Sequence, residues 1–210
     1  MIAMTQAEPK YRFIGIAGMP LSGKDTCAKH LEEKFGYLVI NLSSVVTEEL
    51  KKRLGRKPTR KDLQEMGLAL REEEGRGAVA KRVIEDWIPW VVTNINRAVE
   101  AGGERWDSAK LKYVFNGIRS REEAERFRKE YGKDFSLISI CASLKIRYER
   151  AKSRKREGFD TFDIDEFREL DVRELRLGLG DALAVADHYL LNEGTKDELI
   201  VQLRRILLDP

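Results

Sequence analysis

Reactive and cross-linking residues are scarce in this 210-residue sequence: it has two cysteines, Cys27 and Cys141, and two histidines, His30 and His188. Neither cysteine belongs to a Cys-x-x-Cys pair or a Cys/His set, which excludes a disulfide framework and a thiolate metal centre. Both are expected to be small buried hydrophobes of a reduced protein. The isolated histidines lack paired ligands and are expected in surface or core roles. Proline occurs five times, and Pro89 falls inside a helical pattern, where it should kink or break the helix. No apolar stretch approaches the roughly 18 residues that span a bilayer. The N-terminal MIAMTQAEPK has neither the basic start nor the apolar run of a signal peptide. A soluble, cytoplasmic protein is expected. An excess of one charge is also missing: 39 Lys and Arg against 36 Asp and Glu leave +3. That balance argues against a dedicated nucleic-acid binder, which usually shows a basic excess.

Hydrophobic residues, 42% of the chain, suffice for one ordinary core. A single domain over residues 1–210 is expected. Arg12–Ala17 (RFIGIA) reads as a buried strand that stops at a glycine, and Lys24 to about Phe35 as an amphipathic helix closed by Gly36. Tyr37–Asn41 follows at once as a second strand, giving a βαβ unit. Tyr113–Asn116, Phe135–Ala142 and His188–Asn192 complete five short strands alternating with helices. Helices are expected to about Leu54, over Arg60–Glu74, from Ala78 to Ala101, from Ser120 to about Tyr131, over residues 145–175, and from the capping Thr195 to about Leu208. The pattern predicts a three-layer α/β/α domain around a parallel sheet. Residues 42–101 and 147–176 read as insertions on the C-terminal side of the sheet, where open α/β folds bind ligands.

The chemistry concentrates in GMPLSGKDT, residues 18–26, which fits G-x-x-x-x-G-K between a strand and a helix. Glycines at 18 and 23 let the backbone turn tightly and aim successive N–H groups at phosphate oxygens. The helix N-terminus adds its dipole, and Lys24 a mobile positive charge. A triphosphate-binding loop is expected from this context. The position after Lys24 usually carries a hydroxyl that binds Mg²⁺; here it is Asp25, followed by Thr26. A carboxylate is a hard oxygen ligand for the same ion, so Asp25 is a candidate metal ligand, with Thr26 at the phosphates as the alternative.

Two arginine constellations accompany the loop. In FNGIRS, residues 115–120, a strand ends at a glycine and Arg119 projects from the sheet edge, able to clamp a phosphate or to pair with Glu122 or Glu123. In KIRYERAKSRKRE, residues 145–157, seven of thirteen residues are basic, and Arg150 and Arg154 share one helix face. This run can be a solvated face, a nucleic-acid patch, or a set of arginines closing over a transferring phosphoryl group.

With these residues in view, the sequence resembles the small-molecule kinases built on a phosphate loop: adenylate kinase, dephospho-CoA kinase and related nucleoside monophosphate kinases. It is most similar to an archaeal, adenylate-kinase-related branch. The resemblance is carried by GMPLSGKDT, LREEEGRGAVA (70–80), NGIRSREEAERFR (116–128), ASLKIRYERAKSR (142–154) and RELRLGLGDALAVADHYLLNEGT (173–195). It implies a parallel sheet of order 2-3-1-4-5, ATP and Mg²⁺ as donor and cofactor, a helical acceptor-binding region (42–101) and a closing lid (147–176). It implies phosphoryl transfer to a nucleoside or deoxynucleoside monophosphate, with dephospho-CoA as alternative acceptor; a regulatory or RNA-associated role is the third option. Donor binding would fall to Gly18, Leu21, Ser22, Gly23, Lys24, Asp25, Thr26, Arg150, Asn192 and Gly194. Acceptor binding would fall to Ser43, Arg71, Asn116, Gly117 and Arg119, and catalysis to Lys24, Arg119, Arg150, Arg154 and Arg173. Two departures stand out. Asn116 takes a place where the branch usually has aspartate, and the stretch 87–112 is longer than expected, with Trp87 and Trp90 offering a reshaped acceptor pocket or a homodimer contact.

Overall fold

The computed structural model describes residues 8–54, 56, 60–100, 111–153 and 163–209. Five strands form one parallel sheet: β1 (Phe13–Ala17), β2 (Leu38–Asn41), β3 (Tyr113–Ile118), β4 (Phe135–Cys141) and β5 (His188–Leu191). Their order is β2-β3-β1-β4-β5, as the resemblance implies. The strands alternate faces with period two. Phe13, Tyr113, Phe115, Phe135 and Leu137 enter one core, while Ile14, Ile16, Val114, Ile138 and Ile140 enter the other. The second core is closed by α1 (Lys24–Phe35) and α10 (Lys196–Leu208).

The first core is covered by α2 (Leu42–Leu54), α3 (Arg60–Glu74), α4 (Ala78–Arg82), α6 (Arg121–Tyr131) and α9 (Leu179–Ala184). The remaining helices are α5 (Ile88–Glu100), α7 (Leu144–Ser153) and α8 (Ile164–Arg176). Thr195 caps α10 as expected, in a reciprocal box with Glu198, and Asp163 and Glu166 do the same for α8. No described helix is long and apolar enough to cross a membrane.

Two departures from expectation have local causes. Pro89 neither breaks nor sharply ends its helix; Val83–Trp87 widen into a π turn between α4 and α5, and the Ile88 N–H donates to the Val83 carbonyl. A proline donates no N–H, so a widened turn lets the chain continue through it. The third strand also runs past Asn116. Register jumps so that Ile16 faces Asn116 while Ala17 faces Ile118. The extra residue is Gly117, with φ 93°, a value that a side chain would oppose. The bulge sets Asn116 at the sheet's C-terminal edge, level with Asn41 of β2.

Candidate active site

The loop between β1 and α1 is built as its residues dictate. The Ser22 N–H donates to the Met19 carbonyl (3.1 Å), Leu21 sits at φ 63°, and Gly23 at φ 108° leads into α1. A side chain at Gly23 would run into the Asn192 amide. No side chain caps α1, so its first N–H groups and dipole are left to an anion. Lys24 bends back over the loop and donates to the carbonyls of Gly18 (2.8 Å) and Met19 (3.0 Å). Its pKa is pulled down to about 8, first by desolvation and then by the Arg119 guanidinium, with Arg147 adding to the effect; Asp25 and Glu174 oppose it. A desolvated ammonium among guanidiniums is a place where a polyanion is strongly favoured.

Three arginines surround the loop. Arg119 donates from Nε to Glu174 (2.8 Å), and its backbone N–H to Glu123 (2.7 Å), so its partner is an acid of α8 rather than a side-chain pair with Glu122 or Glu123. Arg150 reaches the Leu21 carbonyl (3.3 Å) and both oxygens of Asn192 (3.0 and 3.1 Å). Arg147 had no role in the sequence reading. It is buried, donates to both oxygens of Asp171 (2.7 and 2.5 Å), and points a further N–H at the Pro20 carbonyl (3.5 Å). Its spacing three before Arg150 was the available signal, since both then fall on one helix face. The run 145–157 is therefore no uniform solvated stripe: two of its arginines turn inward onto the phosphate loop.

The other flank carries no arginine in its hydrogen-bonded cluster. The Asn116 amide donates to Asp25 (2.9 Å) and to Asn41 (2.8 Å). Both partners accept, so the amide orientation is determined, and Asn116 Oδ1 is left buried with no donor among the described residues. Asp25 is exposed on the first turn of α1. The exposed Asp25 carboxylate is a hard oxygen donor of the kind Mg²⁺ takes, an ion that uses few protein ligands and keeps its waters; the Asn116 amide turns its N–H, not its oxygen, toward that carboxylate. Between α2 and the π turn lies a groove of about 830 Å³ lined by Val45, Glu48, Glu49, Asp86, Trp87 and Trp90, with Arg82 paired to Glu49 (3.1 Å) in its wall.

Not every expected residue joins this cluster. Arg71 is buried against Glu123 (2.6 Å) and the Gly67 carbonyl (2.7 Å), a packing position that leaves its guanidinium committed inside the core. Arg173 is exposed and bonds back to the Glu169 carbonyl (3.3 Å), away from the inward acids of its own helix. Ser43 is exposed in the first turn of α2, where its carbonyl accepts from Thr47 (2.7 Å). Asn192 is a strut: its amide donates to the Ser22 carbonyl (2.7 Å) and its N–H to Cys141 (2.7 Å). Gly194 lies in the turn after it, against the Glu198 carboxylate. Arg154 lies outside the described residues. Cys27 is buried, its thiol pushed up to about 12 by burial, and both cysteines are free thiols.

Known proteins share both the sequence and the fold. A family model described as an AAA domain matches residues 14–171. A UPF0200 protein of Aeropyrum pernix is 33% identical over 95% of this chain and 94% of its own length. A UPF0200/UPF0201 protein of Archaeoglobus fulgidus is 37% identical over 94% of this chain, which spans about half, 55%, of that relative. Among solved structures, a shikimate kinase from Bacteroides thetaiotaomicron superposes with TM-score 0.51 at 12% identity, covering 92% of this chain and 95% of that one. A gluconokinase from Sinorhizobium meliloti gives 0.51 at 15% identity over 96% and 95%. Those two likenesses are of fold. At 33% identity over nearly the full length of both chains, and with the family model matched over residues 14–171, the chain belongs to the UPF0200 family and carries an AAA-type phosphate-loop domain.

Proposed function

We propose that this protein is an ATP- and Mg²⁺-dependent phosphotransferase acting on a small phosphorylated acceptor, a nucleoside or deoxynucleoside monophosphate. The observation that carries this reading is the Lys24 ammonium folded over the phosphate loop at an uncapped helix N-terminus, its pKa lowered to about 8 by burial first and then by the Arg119 guanidinium. Phosphoryl transfer asks little covalent chemistry of a protein; it needs positioning and neutralisation of charge. The loop N–H groups and Lys24 would hold the donor phosphates, and Arg150, seated on Leu21 and Asn192, would flank the donor's base. Arg119, at the sheet edge, would meet the acceptor phosphate, with Arg154 a further candidate. Mg²⁺ held at Asp25 would supply charge neutralisation for the donor phosphates. Residues 42–101 would hold the acceptor and 147–176 would act as lid, excluding water from the transfer. The test is ADP formation with ATP and Mg²⁺ against a panel of NMPs and dNMPs; acceptor-dependent turnover is expected, and none with any member overturns the reading.

A hydroxyl acceptor, as in dephospho-CoA, is the second reading. It is favoured by Asp25, a carboxylate aligned by the Asn116 amide and able to take a hydroxyl proton. Mass spectrometry of products formed with dephospho-CoA distinguishes the two.

A further inference from the structure

Arg119 and Arg147, the two arginines whose charges act on Lys24, are each held by an acid, and both acids come from one helix. Asp171 and Glu174 stand three apart on α8, so they share a face, and both are buried. Asp171 grips both terminal nitrogens of Arg147, and Glu174 takes Nε of Arg119. Phe167 and Leu170 of the same helix pack with Ala151 in a small core separate from the two main ones, and Leu21 of the phosphate loop packs against it. α8 thus lies against the loop by one apolar patch and two carboxylates.

Buried ion pairs are weak sources of stability, because desolvation cancels much of their attraction. Their geometry here has another meaning. A carboxylate presents to a guanidinium the same pair of acceptor oxygens as two oxygens of a phosphate. Resting on the nucleotide reading above, we propose that Arg147 and Arg119 meet the donor's polyphosphate before Arg119 engages the acceptor phosphate, and that Asp171 and Glu174 occupy them as internal stand-ins which the polyphosphate displaces, loosening the resting contact of α8 with the loop before the acceptor arrives. Lys24 needs no such stand-in, since its own loop carbonyls hold it.

The experiment is calorimetric titration of the full chain with ATP and with inorganic tripolyphosphate, for the wild type, Glu174→Gln, Asp171→Asn and Lys24→Ala. Removing a competing carboxylate should tighten both probes about three- to tenfold, the scale of one partly buried charge pair. Tripolyphosphate should also raise amide hydrogen exchange across residues 164–176 in the wild type. Glu174→Gln is the deciding variant, because the Arg119 side chain is 32% exposed and its pair is removed with less risk to folding. If Glu174→Gln keeps its circular dichroism and melting temperature but binds either probe no more tightly than wild type, the acids are structural and the proposal falls. Unchanged exchange in 164–176 overturns it equally. If the wild type binds neither probe, or Lys24→Ala binds them undiminished, the nucleotide reading fails and this proposal with it.

Discussion

The two flanks of the phosphate loop satisfy their polar groups in opposite ways. On the α7–α8 flank, guanidiniums meet carboxylates: Arg147 with Asp171, Arg119 with Glu174, and behind them Arg71 with Glu123. On the β2–β3 flank the cluster is two amides and a carboxylate, Asn41, Asn116 and Asp25, with one amide oxygen unpaired. The first flank is cationic but neutralised from within; the second has no cation in its cluster and lacks a donor. A polyphosphate suits the first, and a hydrated cation or a hydroxyl suits the second. The loop therefore divides a charged problem into two halves, and each half can be perturbed alone.

The largest effect should come from the root of the arginine flank. Glu123 is fully buried, pairs with Arg71, and accepts the Arg119 backbone N–H. Glu123→Ala leaves a buried guanidinium unpaired, so unfolding stability should fall by about 3–5 kcal/mol in denaturant titrations; a loss under 1 kcal/mol would mean that the pair is well solvated. Next, Lys24→Ala should weaken ATP about a hundredfold by calorimetry. It should leave folding stability unchanged or slightly raised, because the folded state disfavours that charge.

The opposite flank is tested by Asn116→Asp. It replaces the donor facing Asp25 and Asn41 with a second carboxylate, which should lower stability by about 1–2 kcal/mol at neutral pH. Added Mg²⁺ should recover that loss, read as a rise in melting temperature larger than in the wild type. Equal Mg²⁺ responses would separate this pair from any metal role. The smallest effect is a pH slope. Lys24 titrates near 8 when folded against an ordinary 10.5, so between those values the unfolded chain binds more protons and stability contributed by this group rises with pH. ATP affinity should run the other way, falling above about pH 8 as the ammonium is lost. Lys24→Met should flatten both slopes.

The strands and most helices were legible because they depend on local pattern. FIGIA and FSLISIC are apolar runs of strand length, and Thr195 and Gly36 mark helix ends by their own chemistry. The loop was legible for the same reason, since its glycines and lysine act within nine residues. Arg147 was not, because its burial is decided by Asp171, 24 residues away, and a polar run read alone looks solvated. The commitment of Arg71 to Glu123 spans 52 residues and was hidden likewise. Asn41 could have been found from the parallel pairing that sets it level with Asn116, once the strand order was assumed.

The π turn at Val83–Trp87 has a consequence for descent as well as shape. Such a turn holds one more residue than the regular helix needs, so it reads as a one-residue insertion that was absorbed without breaking the helix. Every position after it is rotated by about 100° relative to a chain lacking that residue. Trp87 and Trp90, which stand together on the groove at 5.5 Å between ring centres, would turn together about the helix axis on its removal. A relative lacking that one position would keep the loop and the sheet yet present a different wall to whatever enters the groove. Within one family, then, specificity could change by a single codon while the phosphate chemistry is left intact.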